Sequence, residues 1–219
     1  MTNPDPDAFR RATGQFATGI VVISATVESV THAMTVNAFT SVSLDPLLVL
    51  VCVEKAARFH GAMLAAGTWA VSVLSEDAEK TARWLATRGR PLEGQLDQHP
   101  HHPGAVTGAP ILDGALSAIE CRTYAVHDGG DHSIVVGEVV AVAPPPPGPD
   151  GPGPLIYHAG RYRRLPRPLA RPGRCPGGPC PGGPCPAGRR FAGSRPAGRC
   201  AQDRRPEGWP FNVLDLRVC

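Results

Sequence analysis

Short apolar runs bounded by turn residues dominate the first two thirds of the chain. Three of them, at 19–26, 47–53 and 68–74, consist mostly of β-branched and aliphatic residues and are too short for ordinary helices. The run at 47–53, LLVLVCV, is continuously apolar and short enough for a central strand. The run at 68–74 alternates in character, which also predicts a strand.

Helical patterns occupy three further segments. Residues 5–17 place Phe9 and Phe16 on one helical face, after an aspartate that can cap the first turn and a proline that suits it. Residues 55–67 have helical composition and end at a glycine. Residues 75–89 begin with acidic side chains and end with arginines, as the helix dipole favours. We therefore expect three helices among the strands.

Two β-branched runs on either side of a glycine-rich turn strongly predict a β-hairpin. Residues 114–127 and 132–142 are long runs rich in β-branched residues, and DGGD at 128–131 supplies a tight reversal between them. A proline-rich connection at 144–154 leads to a last strand and turn at 155–165. Strands outnumber helices and mostly follow one another directly. The sequence therefore predicts a mainly β fold, an antiparallel barrel with a few helices, and not a doubly wound sheet.

Charge divides the chain near residue 165. The formal net charge is +3, but residues 1–165 carry 12 Lys and Arg against 16 Asp and Glu, whereas residues 166–219 carry 10 against 3. A groove that follows nucleic-acid phosphates needs positive charge on the folded surface, so the mildly acidic body disfavours a nucleic-acid partner. We predict one domain over 1–165 and a separate tail over 166–219.

The tail has a composition of its own. Proline and glycine make up 20 of its 54 residues, and cysteine recurs every five residues over 175–186. Such a segment buries too little apolar surface to offset its ordering entropy, which predicts a disordered, low-complexity tail. A cysteine metal site is the alternative, although the spacing differs from that of common zinc sites. Arginine outnumbers lysine 20 to 2 in the whole chain, so a tail translated out of its ancestral reading frame is a further hypothesis.

Cysteine usage and the N-terminus bear on the cellular compartment. Cys52 and Cys121, the cysteines of the body, lie in apolar runs, as expected of reduced core cysteines. The N-terminus lacks the basic start and apolar stretch of a signal peptide, and no run of about 18 apolar residues is present to span a membrane. We therefore expect a soluble cytoplasmic protein with no membrane partner.

Two groups of side chains give weak signals of other chemistry, one of metal binding and one of acid–base catalysis. Three histidines within 99–102 lie in a long polar loop, 90–107, whose composition favours a solvated segment over a metal site, so no metal is predicted. Glu120 and Glu138 lie on the facing strands of the hairpin, as paired carboxylates for acid–base chemistry would. We expect both of them on the outer face of the hairpin.

The segment THAMTVNAFTSVSLDP (31–46) combines strand-forming residues with hydroxyl and amide side chains, and it carries no charge before Asp45. These groups suit a planar, largely apolar ring system with polar edge atoms, because ligand pockets are mostly apolar with a few placed polar groups. Arg58, near the start of the following helix, could pair with a phosphate of the same ligand. The alternative is an ordinary strand edge with Ser and Thr pairs.

Five blocks of sequence together resemble the flavin reductase-like family. They are GQFATGIVVISA, MTVNAFTSVSLDPLLVLVCV, WAVSVLSED, GAPILDGALSAIECRTYAVHDGGDHSIVVGEVVAV and PLIYHAGRY, in this order, and they cover roughly residues 8–165. The family comprises small NAD(P)H:flavin oxidoreductases that feed two-component monooxygenases. The resemblance implies an FMN-binding split β-barrel with a Greek-key core that works as a homodimer, with both subunits near each flavin.

The resemblance also implies site residues. Its flavin-binding positions are matched here by Thr35, Val36, Asn37, Ala38, Ser41, Val42, Cys52, Val53, Glu54 and Arg58. His132 of the GDH turn corresponds to the catalytic histidine on the nicotinamide side, together with Tyr157, His158 and Gly160 of the stretch 157–160. Tyr157 and Tyr162 could equally cap the barrel.

The implied reaction is hydride transfer from NADH or NADPH to N5 of FMN or FAD, chemistry that the cofactors carry themselves. We favour NADH, because the sequence offers no clear basic pocket for an additional phosphate. The implied partners are free flavin, the nicotinamide dinucleotide and a separate flavin-dependent monooxygenase. Two alternatives are a flavoprotein that keeps its flavin and reduces an organic substrate, and a non-catalytic flavin-binding module.

Overall fold

The computed structural model describes residues 4–144 and 151–166, and within them the fold is mainly β with a few helices, as predicted. The helices are α1 (Pro6–Thr13), α2 (Arg58–Ala66) and α3 (Glu79–Ala86), with a 3-10 turn at Glu76–Ala78 before α3. The strands are β1 (Thr18–Gly19), β2 (Val21–Val27), β3 (Val30–Val36), β4 (Phe39–Leu44), β5 (Leu47–Glu54), β6 (Thr68–Val73), β7 (His101–Pro103), β8 (Pro110–Leu112), β9 (Ser117–Gly129), β10 (His132–Ala143), β11 (Leu155–His158) and β12 (Arg161–Arg164).

Seven strands form the main sheet, in the order β3-β2-β6-β9-β10-β5-β4, and every neighbouring pair is antiparallel. The two edge strands, β3 and β4, are consecutive in the chain and are joined only by Asn37 and Ala38. The two-residue link therefore brings the end of one edge strand close to the start of the other. A hydrogen bond of 3.0 Å from the Cys52 N–H to the Ala38 carbonyl holds the link against β5.

One face of the main sheet holds the main core. On β5, Val49, Val51 and Val53 are buried and alternate with half-buried or exposed residues, the pattern of a strand with one face in the core. Phe59 and Met63 of α2 pack against this cluster, which explains why that helix lies across the sheet. The remaining members of the cluster are Val21, Ile23, Ala25, Val36, Trp69, Val71, Cys121 and Val135.

A smaller sheet, β1-β11-β12, adjoins a second core that contains Leu85 of α3. Backbone hydrogen bonds among Ile20, Leu74 and Leu155 connect the small sheet to the main one. The pair β7-β8 forms a third, two-stranded sheet. The predicted loop 90–107 was thus wrong at His101–Pro103, which pairs with residues 110–112.

The helices are shorter than predicted. Of residues 55–67, helix α2 takes only Arg58–Ala66, and Gly67 ends it in the left-handed region with φ of 65°, the conformation that glycine adopts without strain. Residues 75–89 divide into a 3-10 turn and α3, which ends at Ala86. Asp5 caps α1 as expected, but Phe9 and Phe16 are 65% and 77% exposed, and α1 buries none of its residues.

Glu120 corrects a prediction. Its side chain is only 5% exposed, because the loop over 104–109 folds onto this part of β9 and donates hydrogen bonds to the carboxylate. It does not face Glu138, since Glu120 pairs with Ala141 and Glu138 with Arg122. The two acids therefore do not form a catalytic pair.

The predicted low-complexity tail from residue 166 onward lies almost entirely outside the described residues, so it and the domain boundary remain predictions. Among the helices that the structure describes, none has the length and apolar character needed to cross a membrane.

Candidate functional site

An open cavity of about 540 Å³ lies between β3, the end of β5, the start of α2 and the segment that follows α3. This volume is within the usual range for small-molecule sites. The predicted site residues that line it are Thr35, Val36, Asn37, Ala38, Cys52, Glu54, Arg58 and His132. Val53 lies behind this wall, fully buried in the core.

One wall of the cavity is the free edge of β3, which pairs with β2 only on its other side. The Thr31 carbonyl accepts a hydrogen bond of 2.6 Å from Nε2 of Gln95, and the Ala33 carbonyl accepts one from Arg90. Alternate residues of an antiparallel edge strand point their main-chain groups outward, so Thr35 presents its N–H and C=O on this same edge. The edge is therefore covered by the segment 87–95 at one end and borders the cavity at the other.

The side chains of the hydroxyl-rich segment are partly used within the fold. The Thr35 hydroxyl donates a 2.8 Å hydrogen bond to the Ala82 carbonyl of α3, which fastens β3 to that helix. Nδ2 of Asn37 makes only a long contact of 3.4 Å with Oγ1 of Thr18, and its side chain remains exposed at the cavity mouth. The polar groups that this wall offers to a ligand are thus mainly the strand edge and the Asn37 amide.

The opposite end of the cavity is positively charged. Arg58 is the first residue of α2, and the N-cap residue before it, Ala57, has no side chain that could satisfy the helix N–H groups. Nη1 of Arg58 donates to the Arg90 carbonyl at 3.1 Å. Desolvation and, second, the charge of Arg58 lower the pKa of Arg90. An uncapped helix start beside guanidinium groups is suited to a phosphate.

Arg88 adds a third guanidinium to the lining. One of its amino groups donates to both carboxylate oxygens of Glu54, at 3.0 and 2.7 Å. Glu54 is the one carboxylate among the described residues that line the cavity, so its charge is already paired. Cys52 lies beside it as a neutral thiol, since burial raises its pKa.

His132 begins β10 directly opposite Glu54 in the strand register. Its Nδ1 is 2.7 Å from a carboxylate oxygen of Asp131, and this hydrogen bond, followed by the charge of His132, lowers the pKa of Asp131. Lys55 holds the preceding turn, because its N–H donates to the Asp131 carbonyl at 2.9 Å and its Nζ to the Gly130 carbonyl at 2.7 Å. The imidazole therefore reaches the cavity from a fixed turn.

Six predicted residues lie outside the cavity lining, namely the buried Val53 and five others. Ser41 and Val42 are exposed on the edge strand β4. Tyr157, His158 and Gly160 lie on β11 and the turn after it, and the rings of Tyr157 and Tyr162 are 5.5 Å apart where they pack on the second core. This packing favours the capping role of the tyrosines. The stretch nevertheless adjoins the cavity mouth, since Tyr157 pairs with Thr18, the contact of Asn37.

Sequence reasoning missed His32, Arg88, Arg90 and Gln95, which also line the cavity. By its sequence, the segment 87–95 is a helix end followed by a polar loop, and nothing local in it indicates that it covers the edge of β3. A clue was available at His32, a polar ring within a strand-forming run. Two buried nitrogen atoms of this group, Nδ1 of His32 and Nε of Arg90, have no hydrogen-bond partner in the structure.

The flavin that the resemblance implies fits this arrangement. A free strand edge suits the polar rim of a planar ring, the cavity has both apolar and polar walls, and the cationic end suits a phosphate.

The described residues contain no group of three or more metal-ligating side chains. The histidines of the loop at 99–102 have other partners. His99 contacts Thr81 at 3.1 Å and His102 contacts Asp113 at 2.7 Å, so both rings hold the loop in place.

Comparison with known proteins gives a consistent result. A family model described as a flavin reductase like domain matches residues 13–166. The chain is 42% identical over 157 residues to the NADH-dependent FAD reductase of Streptomyces globisporus, across 71% of this chain and 84% of that protein. It is 39% identical over 160 residues to the FMN reductase (NADH) SmoA of Agrobacterium fabrum, across 73% and 86%. It is 35% identical over 158 residues to HsaB of Mycobacterium tuberculosis, the reductase subunit of a flavin-dependent monooxygenase, across 72% and 81%.

The fold is similar to that of solved structures. BorF, the flavin reductase component of a bacterial two-component tryptophan halogenase, superposes with a TM-score of 0.68 at 43% identity, over 74% of this chain and 99% of that one.

Proposed function

The chain belongs to the flavin reductase-like domain family, and from that membership we propose that it is an NADH-dependent reductase of free FMN or FAD that supplies a separate monooxygenase. The structural observation that carries the proposal is the cavity, which joins the free edge of β3 to a cationic helix start. An oxidoreductase of this kind needs no nucleophile, since the two cofactors, when bound, supply the hydride transfer themselves.

The protein's own contribution is to bind, to orient and to exclude water. The main chain from Thr35 to Ala38 provides donors and acceptors for the rim of the flavin ring, with Cys52 as a neutral wall and Val53 behind it. The N–H groups at the start of α2, together with Arg58, hold the phosphate.

His132 orients the nicotinamide side of the site. With Nδ1–H donated to Asp131, its Nε2 is available to a ligand in the cavity. Lys55 holds the turn that precedes His132. Because the imidazole is already positioned, binding the dinucleotide costs less conformational entropy at this side chain.

The finer architecture is also proposed. A split barrel with a Greek-key core is supported by the meeting of β3 and β4 at Asn37 and Ala38. A homodimer is supported by the outer face of β5 and β10, where apolar side chains are only half-buried. These side chains are Leu48, Leu50, Ile134 and Val136.

Some roles rest on the family resemblance alone. They are flavin contacts at Ser41 and Val42 and nicotinamide contacts at Tyr157, His158 and Gly160. A location in the cytoplasm is also proposed, from the reduced character expected of the body's cysteines.

The test is to follow the nicotinamide absorbance of NADH mixed with the purified protein while free FMN or FAD is increased. We expect saturable oxidation of NADH that depends on added flavin. Turnover that needs an added organic acceptor and no free flavin indicates a flavoprotein that keeps its cofactor. No oxidation with either flavin refutes the proposal.

A variant of the cationic end links the activity to the cavity. Arg58→Gln is expected to weaken FMN binding about tenfold, because a charge-assisted hydrogen bond contributes about 1.5–3 kcal/mol, and to leave riboflavin binding almost unchanged. Arg163→Gln, an exposed arginine of β12 outside the cavity lining, is the matched control. Equal effects on FMN and riboflavin contradict the assigned phosphate position.

A further inference from the structure

His32 lies on β3 at the cationic end of the cavity, and the roles described above give it no task. Its ring is half-buried, and its Nδ1 atom is buried without a hydrogen-bond partner. Unpartnered buried nitrogens are uncommon, and each one requires an explanation such as a ligand or an ion.

Several elements bring charged side chains to the cavity that His32 lines. Within the sheet, His32 is paired with Ala25 of β2, which carries no charge. Desolvation and, second, the charge of Arg58 lower the pKa of His32 from its ordinary value. The imidazole is therefore neutral near pH 7 when the cavity holds no anion. The charged or titratable groups that line the cavity with it are Arg58 of α2, Arg88 and Arg90 after α3, Glu54 of β5 and His132 of β10.

None of these groups neutralises the positive end. Glu54, the one carboxylate of the described lining, is bound by Arg88. The site thus combines two nearby guanidinium groups, an uncapped helix start and a neutral histidine with a free nitrogen. A dianionic phosphate supplies the missing negative charge and an acceptor for the ring N–H.

We propose that His32 is a phosphate-binding residue that takes up a proton from solvent when a phosphorylated flavin binds. The inference rests on the proposed function, because it assumes that the flavin phosphate occupies this end of the cavity. On binding, the phosphate reverses the local potential, so that the imidazolium becomes favourable and donates a hydrogen bond to a phosphate oxygen. Riboflavin lacks the phosphate and leaves the ring neutral.

The sign of the pH effect follows from linkage. A group whose pKa is higher in the complex than in the free protein binds a proton on complex formation, so affinity falls as pH rises between the two values. The second proton of a phosphate monoester, with a pKa near 6, acts in the opposite direction for FMN. Because the free ligand titrates identically whichever variant binds it, the informative quantity is the difference between the wild type and His32→Gln with the same ligand.

The test is calorimetric titration of FMN and of riboflavin into the full chain, in pairs of buffers with different ionisation enthalpies. For the wild type near pH 6.5 we expect net proton uptake with FMN and none with riboflavin. In His32→Gln the uptake with FMN is lost. Between about pH 6 and about pH 8, the FMN dissociation constant of the wild type should rise relative to that of the variant. The ratio increases by up to about tenfold for each unit by which bound phosphate raises the pKa of His32.

The control is His127→Gln, which alters an exposed histidine of β9 outside the cavity and keeps the wild-type uptake. If His32→Gln fails the circular dichroism check for folding, His32→Asn replaces it. Proton uptake with FMN that persists in the folded variant, or equal uptake with riboflavin, overturns the inference while flavin binding stands. If the wild type binds neither flavin, both the proposed function and the inference about His32 are overturned.

Discussion

Replacing Glu120 tests how the loop over 104–109 is held to the main sheet. One carboxylate oxygen, Oε2, accepts hydrogen bonds from the Val106 N–H at 3.0 Å, the Thr107 N–H at 2.7 Å and the Thr107 hydroxyl at 2.7 Å. The loop approaches so closely that a Cβ added at Gly104 would lie 2.4 Å from the same oxygen. Glu120→Ala therefore leaves three donors without their acceptor in a mostly buried place.

The magnitude follows from the number and type of these bonds. Each hydrogen bond to a charged group contributes about 1.5–3 kcal/mol net, but the loop can recover part of this from water, so we expect Glu120→Ala to lower the free energy of unfolding by about 3 kcal/mol. Glu120→Gln keeps an acceptor without the charge and should cost about 1–2 kcal/mol. At this chain length about 1 kcal/mol corresponds to about 2–4 °C in Tm, so the alanine variant should melt about 6–12 °C lower.

The effect depends on pH in a defined direction. Burial alone raises the pKa of Glu120, but the hydrogen bonds from Thr107, Val106 and Ala105 together outweigh burial and hold the pKa below its usual range. A carboxyl with a lowered folded-state pKa stabilises the protein above the unfolded value, about 4.3, and this stabilisation is lost as pH falls through the folded-state pKa. The stability difference between the wild type and Glu120→Gln is therefore largest at neutral pH and shrinks below about pH 4.

Thermal and urea unfolding, followed by circular dichroism and by tryptophan emission, to which the buried Trp69 contributes, measure both effects. Glu138→Gln is the control, since this glutamate of β10 is half-exposed and lies 3.9 Å from Arg122, and we expect a change within about 0.5 kcal/mol. A Glu120→Ala variant that melts within about 2 °C of the wild type refutes the reasoning. So does a Glu120→Gln variant whose stability follows the wild-type pH curve in parallel.

Three further changes have defined outcomes. His132→Ala should raise the KM for NADH more than it alters the Kd for flavin in fluorescence quenching, and an unchanged KM would remove His132 from the mechanism. Gly137→Ala places a Cβ 2.4 Å from the Trp69 ring and should lower stability by about 1–3 kcal/mol in urea unfolding, whereas a neutral effect would contradict this close packing. Gln95→Ala removes the hydrogen bond to the Thr31 carbonyl and should weaken FMN binding and speed hydrogen exchange at that strand edge, and unchanged exchange would show that the segment is held by other contacts.

Much of the fold is predictable because its signals are local. The hairpin of β9 and β10 needs only two β-branched runs and a glycine turn, and the structure turns at Gly130 and Asp131 within the predicted reversal. The position of Glu120 was not predictable in this way. Its partners lie 13 and 14 residues earlier, in a segment without regular structure, and only tertiary folding brings them over β9.

The residues at the cationic end of the cavity were likewise not predictable from local sequence. Arg88, Arg90 and Gln95 read as a helix end and a polar loop, the ordinary places for such residues. Their role depends on which strand is at the edge of the sheet, and strand order is not a local property. Because β3 is an edge strand, its carbonyls at Thr31 and Ala33 need partners, and Gln95 and Arg90 supply them. Arg88 binds Glu54 instead.

The hydroxyl-rich segment 31–46 was identified from its side chains, but in the folded chain several of these groups serve the backbone. The Thr35 hydroxyl bonds to α3, the Ser43 hydroxyl accepts the N–H of Asp45 at 3.2 Å, and the Thr40 hydroxyl contacts the Ser41 carbonyl. Small hydroxyl side chains satisfy main-chain groups where a strand ends or turns, and here two edge strands meet within a few residues. Meeting at this point leaves the outer edge of β3 unpaired, and an unpaired edge is a row of donors and acceptors. In the proposed flavin site, this segment would therefore offer the ring rim its main-chain groups, because several of its side chains are already hydrogen-bonded within the fold. Removing the Thr35 hydroxyl should thus loosen α3 before it removes any contact to flavin.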